Sequence, residues 1–217
     1  MENVIRIENM NKSFKDVEIF KDFSLEIKKN SFTIISGTSG SGKSTLLNII
    51  GLLDTKDKGN IYLFEEKNVH PFSKRAEHLL REKIGYLFQN FALVDNETVE
   101  YNLKIALENV KAKNKEELIS NVLKQVGLQG YEKKMVYKCS GGEQQRIAIA
   151  RLLLKPCELV LADEPTGSLD HDNKMLVVSL LQKMHKEGKT ILIVTHDEEL
   201  MEIGDNHIKF NNFKCVK

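Results

Sequence analysis

Gly37-Thr38-Ser39-Gly40-Ser41-Gly42-Lys43-Ser44 carries the spacing G-x-x-x-x-G-K-[ST]. Glycines so placed let backbone N–H groups wrap an oxyanion, and a helix opening behind them turns its positive end toward it. Lys43 then neutralises β- and γ-phosphate oxygens, and Ser44 offers a hydroxyl to Mg²⁺. Thr45 adds a second hydroxyl near the α-phosphate. The competing explanation is a glycine-rich turn with a solvated lysine. The flanks decide between them: Phe32-Thr33-Ile34-Ile35 is a β-rich run ending at Ser36-Gly37, and residues 43–52 have a helical pattern. Strand, glycine loop and helix in that order predict a phosphate-binding loop for ATP with Mg²⁺.

Leu159-Val160-Leu161-Ala162-Asp163-Glu164 is an apolar strand ending in two carboxylates. Two acids at the end of a buried strand are costly unless a cation sits beside them. Asp163 suits water-mediated Mg²⁺ binding, and Glu164 suits a general base acting on the attacking water. Taken alone the pair reads as a solvated turn; beside a phosphate loop it reads as chemistry.

Three further features are weaker. Ser140-Gly141-Gly142-Glu143-Gln144-Gln145-Arg146 opens an apolar-periodic helix, and Ser140-x-x-Glu143 fits a capping box. A cap does not need two adjacent glycines, which point to a ligand at the helix N-terminus; on pattern alone the two readings stand level. His196 follows the strand Ile191-Leu192-Ile193-Val194-Thr195, and Gln89 follows the strand at 84–88. Both therefore fall where open α/β sheets gather ligands. His70, His78, His171, His185 and His207 form no cluster with metal-ligand spacing and read as surface residues.

These residues need a scaffold. Val4-Ile5-Arg6-Ile7 and Phe23-Ser24-Leu25-Glu26-Ile27 alternate as half-buried strands do, and residues 60–64 and 84–88 form further strands. Helical patterns occupy 97–108, 115–126 and 141–154, with Leu118, Val122, Leu123 and Val126 as one apolar stripe. From 159 the pattern returns to strand 159–162, helix 174–186 and strand 191–194. Short apolar strands before loops predict a largely parallel sheet covered by helices, with residues 90–156 inserted as a helical subdomain.

Bulk properties agree. The 217 residues suit one domain, and 32 Lys+Arg against 31 Asp+Glu leave +1, with no field drawing it to nucleic acid. The mixed-sign stretch 111–117 reads as a solvated helix entrance, and Lys133-Lys134 as solvated too. Cys139, Cys157 and Cys215 are scattered, which fits a reducing cytoplasm. No secretory leader is expected, and no apolar run approaches the roughly 20 residues that span a bilayer. Work at a membrane would require spanning helices from another chain.

Taken in order, the phosphate loop, Gln89, Ser140-Gly141-Gly142-Glu143-Gln144, residues 159–164, Ser168-Leu169-Asp170 and His196 resemble the motif set of the ATP-binding-cassette (ABC) ATPase family. The resemblance covers essentially the whole chain. It implies an α/β P-loop NTPase (RecA-like) core at 1–89 and 157–217. An N-terminal antiparallel β-subdomain and the inserted helical subdomain at 90–156 complete it. It also implies roles. Phe14 would stack on adenine, where the family more often has tyrosine. Gln89 would contact Mg²⁺ and sense a membrane partner. Ser140, Gly141 and Gly142, followed by Glu143, would bind the γ-phosphate held by a second copy. Asp170 would connect the two sites, and His196 would hold the γ-phosphate. Two ATP molecules would be buried between head-to-tail copies, with the catalytic work falling to Glu164, His196 and Lys43.

Two residues depart from the family pattern. Cys139 stands where leucine is usual, and Glu143 where many members have glutamine; neither is expected to abolish the chemistry. Residues 140–151 and 163–170 resemble the MacB/LolD/FtsE-like group. The segment Gly85-Tyr86-Leu87-Phe88-Gln89-Asn90-Phe91-Ala92-Leu93-Val94 is similar to ATPases of lactococcin-type bacteriocin exporters. The expectation is an ATPase subunit on the cytoplasmic face of the membrane, driving a separate permease that exports an antimicrobial peptide or confers resistance to one. FtsE-like mechanotransmission and LolD-like lipoprotein release are the alternatives. A non-transport cassette acting on ribosomes or DNA fits less well, because the chain has one cassette, no long coiled coil and near-neutral charge.

Overall fold

The structure is a computed structural model and describes residues 2–167 and 169–210; Ser168 and Cys215, both singled out above, lie outside the described residues. In chain order the first elements are β1 (Asn3–Phe14), β2 (Val17–Lys28), β3 (Phe32–Gly37), α1 (Lys43–Ile50), β4 (Lys58–Leu63) and β5 (Glu66–Lys67). Then come α2 (Lys74–Glu82), β6 (Ile84–Leu87), α3 (Val99–Ala106), α4 (Lys115–Gln125) and α5 (Gly141–Leu154). The chain continues through β7 (Leu159–Asp163), α6 (His171–Lys186), β8 (Thr190–Thr195), α7 (Glu198–Met201) and β9 (Asn206–Phe210).

β1, β2, β4 and β5 make an antiparallel sheet in the order β2-β1-β4-β5. The other five strands make a parallel sheet in the order β6-β7-β8-β3-β9. Every residue of β7 and β8 is buried, as expected of strands covered on both faces. Their side chains alternate between two cores. Val160, Ala162, Ile191 and Ile193 join α3, α4, α5 and α6 on one face. Leu159, Leu161, Leu192 and Val194 join α1 and the antiparallel sheet on the other. The sheet is thus the wall on which both halves of the molecule are mounted, and its carboxyl edge is fixed from both sides.

Several boundaries differ from the sequence reading for physical reasons. The two N-terminal strands are 12 residues each, because hairpin pairing continues past the alternating stretches. α6 starts at His171 instead of 174, since the Asp170 side chain caps it by accepting from the Asn173 N–H. α4 buries Ile119, Val122 and Leu123, whereas Leu118 is 37% exposed. The apolar stripe therefore runs through Ile119. α2 and β9 were not anticipated: α2 is mostly charged, and β9 is an edge strand that buries only Phe210.

Candidate nucleotide site

β3, between β8 and the edge strand β9, delivers the glycine loop from inside the parallel sheet, with Ser36 level with Thr195 of β8. Gly42 is the N-cap of α1, with φ 95°. A Cβ there would lie 2.7 Å from Ile19 Cγ2 and 3.0 Å from Phe20 Cζ, so handedness and the β2 wall both require glycine. Thr38, Ser39, Gly40 and Ser44 are exposed, Gly37 and Thr45 half-buried, and Ser41 and Lys43 buried. The loop therefore opens outward over a closed base.

Lys43 donates through Nζ to the carbonyls of Gly37 (2.8 Å) and Thr38 (3.0 Å), so its charge spans the loop. Ser41 Oγ is buried with no hydrogen-bond partner among the described residues. An unpartnered hydroxyl beside outward-facing glycines and an ammonium fits an oxyanion.

Beyond β8, at the end of β7, Asp163 Oδ1 accepts from Ser44 Oγ at 3.1 Å. Burial pushes the Asp163 carboxyl up, and neighbouring Glu164 adds to this against the hydrogen bond from Ser44 and the charge of Lys43. A hydroxyl and a buried carboxylate on adjoining oxygens form a hard-donor pair of the kind Mg²⁺ takes. Gln89 is exposed just beyond β6; Leu87 pairs with Ala162, so Gln89 sits at the same carboxyl edge as Asp163 and Glu164.

Glu164 has φ 46°, a left-handed conformation in a non-glycine residue that costs on the order of 1 kcal/mol or more. That turn brings its carboxylate, 12% exposed, onto the end of β8. Oε2 accepts from Thr195 Oγ1 (2.9 Å) and from the His196 N–H (3.3 Å). Oε1 accepts from His196 Nδ1 at 2.8 Å, which leaves Nε2 of the exposed ring directed away from the carboxylate. The two residues that sequence reasoning placed at separate strand ends are hydrogen-bonded partners.

The structure assembles Gly37, Thr38, Ser39, Gly40, Ser41, Gly42, Lys43, Ser44 and Thr45 with Asp163, Glu164, His196 and the Gln89 turn along one sheet edge. Phe14 ends β1, is 47% exposed, and has Lys12 Nζ 4.5 Å from its ring centroid. Ser140 and Gly141 are exposed at the N-terminus of α5, and no side chain or backbone atom lies within 4 Å of where a Gly141 Cβ would be. Asp170 is exposed and holds Asn173, accepting from its N–H at 2.9 Å and its Nδ2 at 2.7 Å.

The capping box at α5 is formed: Glu143 N donates to Ser140 Oγ (3.3 Å), and Ser140 N donates to Glu143 Oε2 (2.8 Å). Glu143 also accepts from Tyr131 (2.7 Å) and Lys134 (2.9 Å). Burial alone would raise its carboxyl, but these hydrogen bonds prevail and hold it at about 2. Lys134 is thus an ion-pair partner of the α5 N-terminus, a correction to the solvated reading; Lys133 is 89% exposed, with Nζ 3.5 Å from Glu100 Oε2. A carboxyl held below its usual 4.5 stabilises the fold above that pH and loses the contribution as pH falls through about 2. Glu143→Ala is expected to lower stability by about 1–3 kcal/mol at neutral pH. Urea melts of both proteins should converge as the pH falls from 4.5 toward 2.

Other supports were invisible in the sequence. Buried Gln145 donates to the Pro165 carbonyl at 2.6 Å, tying α5 to the turn after Glu164. Asp197 accepts from Thr166 (3.1 Å) and pairs with Lys174 (2.6 Å), fixing the residue after His196. Their only sequence signal was proximity to motif residues.

A parallel sheet with a glycine loop leading into a helix, and a carboxylate that ends a strand one further across the sheet and accepts from the first turn of that helix, defines a P-loop nucleoside-triphosphatase fold. The family described as ABC transporter matches residues 20–167. The chain is 39% identical over 222 residues to the lipoprotein-releasing system ATP-binding protein LolD of Aquifex aeolicus, covering 100% of this chain and 97% of that protein. It is 38% identical to the macrolide export ATP-binding/permease protein MacB of Campylobacter fetus, covering 98% of this chain but 34% of that protein. The chain thus spans about a third of the length of its MacB relatives. A solved dimeric structure, the post-hydrolysis state of the ATP-binding cassette MJ0796 bound to ADP and Pi, superposes with TM-score 0.89 at 32% identity over 96% of this chain and 94% of that one. The chain belongs to the ABC transporter family, as an ATP-binding, ATP-hydrolysing cassette close to the MacB and LolD ATPases.

Proposed function

We propose that this chain hydrolyses Mg-ATP between two head-to-tail copies of itself and transmits the closing and opening of that dimer to a separate membrane permease. The observation that carries this reading is the division of the site. Phosphate loop, Asp163, Glu164 and His196 share one sheet edge, while Ser140 and Gly141 stand exposed on another element with open space before them. A helix N-terminus so placed is suited to an anion supplied from outside the chain.

Lys43 and the loop N–H groups bind and orient the phosphates, and Phe14 offers its exposed ring to adenine. Ser44 and Asp163 would hold Mg²⁺, with Gln89, at the end of the neighbouring strand β6, as a further ligand. When bound, Mg²⁺ supplies charge neutralisation to the transferring phosphoryl group. Glu164 takes the proton of the attacking water. His196, held through Nδ1 by Glu164, offers Nε2 to the γ-phosphate; it grips the anion as the imidazolium, in which both ring nitrogens donate. Ser140, Gly141 and Gly142, held by Glu143, complete the opposite copy's site, and Asp170 links the two. Residues 90–156 form the helical part that carries this second half-site; 1–89 and 157–217 form the nucleotide-binding core.

Among the described residues no helix is long and apolar enough to cross a membrane, which fits a peripheral subunit at the cytoplasmic face. The likeness of residues 85–94 to bacteriocin-exporter ATPases supports export of, or resistance to, an antimicrobial peptide. LolD-like lipoprotein release and FtsE-like force transmission are the competing uses of the same ATPase. No nucleic-acid partner is expected at net charge +1. Affinity purification from native membranes tests the reading: a membrane-spanning chain should co-purify in fixed ratio. Recovery of ribosomal or other soluble partners in its place would overturn it.

A further inference from the structure

Gln89 lies on a turn whose backbone is unusual. Phe91 and Ala92 are consecutive non-glycine residues with φ 64° and 48°. Local bonds define the turn: the Phe91 N–H donates to the Phe88 carbonyl (3.0 Å), and the Ala92 N–H to that of Asn90 (2.7 Å). The Phe91 and Ala92 carbonyls both point at one side chain. Arg151, in the last turn of α5, donates through Nη2 to the Phe91 carbonyl (2.8 Å) and through Nη1 to the Ala92 carbonyl (2.5 Å).

This is a fork with one arm on each left-handed residue. Lysine could not reproduce it, because an ammonium is a point charge and not a planar pair of donors. No carboxylate pairs with Arg151 among the described residues, so the two carbonyl dipoles are its main compensation. Burial lowers its basicity accordingly. Spending a desolvated guanidinium on two loop carbonyls is costly unless the turn must be held. The helix that carries Arg151 also begins at Ser140, so the Gln89 turn and the exposed half-site are fixed to one rigid element.

We infer that Arg151 is a positioning residue for Gln89, locking the turn that presents it to the nucleotide site and tying that turn to the helix bearing Ser140. The inference rests on the proposed role of Gln89, and two measurements separate the two. The first is hydrogen exchange on the full chain without nucleotide. Arg151→Ala should speed exchange at the amides of residues 89–92 and leave β7 and β8 protected. Unchanged exchange in that turn overturns the clamp even if wild-type protein hydrolyses ATP normally.

The second is a double-mutant cycle on kcat. Arg151→Ala and Gln89→Ala should each lower kcat about tenfold, and the double variant no further than Gln89→Ala alone. Losses that multiply to about a hundredfold would show that Arg151 acts independently of Gln89 and overturn the inference. Arg151→Lys, a milder change, should fall between wild type and Arg151→Ala in both readouts. Wild-type behaviour in that variant would refute the need for a fork and overturn the inference.

Discussion

Glu164→Gln is expected to bind ATP with near wild-type affinity, to dimerise with it, and to hydrolyse it about 10²–10⁴-fold more slowly. The shape of the site should survive the change. Glutamine is isosteric, and its single oxygen can still accept from Thr195 Oγ1 and the His196 N–H, now 2.9 and 3.3 Å from Oε2. The new amide would face His196 Nδ1, 2.8 Å from Oε1, and a switch of imidazole tautomer turns that nitrogen into an acceptor. The proposed phosphate-binding groups lie elsewhere, on the loop held by Lys43. What disappears is the capacity to take a proton from water. Single-turnover release of γ-phosphate, with nucleotide affinity measured separately, checks the result. Near-normal turnover in Glu164→Gln would remove Glu164 as the base, and lost affinity would mean the residue holds the site together instead.

How much of this was legible beforehand depended on whether a role constrains residue type locally. Gly42 must be glycine for a reason set within the loop and its immediate wall, so the spacing announced it. Asp163 and Glu164 end an apolar strand, and a carboxylate there is conspicuous for the same local reason. Supports that act across the chain left no such mark. Arg151 and Gln145 sit inside a periodic helix, where nothing in the pattern says that their polar ends meet Phe91, Ala92 and Pro165. Lys134 looked like a solvated charge because its partner Glu143, nine residues on, is reached only after α5 is packed. Leu118 and Ile119 were both compatible with helical spacing, and only the orientation of α4 chose Ile119.

Ser140→Arg is expected to fold and bind ATP as a monomer but to lose ATP-dependent dimerisation. Its folding cost should be small. Removing the N-cap hydroxyl, which accepts from the Glu143 N–H at 3.3 Å, costs about 1 kcal/mol. The other half of the capping box is independent of the side chain at this position, since it runs from the backbone N–H of residue 140 to Glu143 Oε2 at 2.8 Å. Tyr131 and Lys134 still hold that carboxylate. The chain's own phosphate loop is built by β3 and α1, so ATP affinity of the single chain should be preserved. An arginine side chain would instead fill the open space before Gly141, into which the proposed shared site would admit the opposite copy's nucleotide. Sedimentation velocity with ATP in a Glu164→Gln background reads the outcome, since slow hydrolysis keeps any dimer populated. A surviving ATP-dependent dimer would overturn the shared site. Ser140→Ala separates the two costs: it removes the hydroxyl without filling the space, so it should soften the thermal melt and weaken the ATP-dependent dimer without abolishing it.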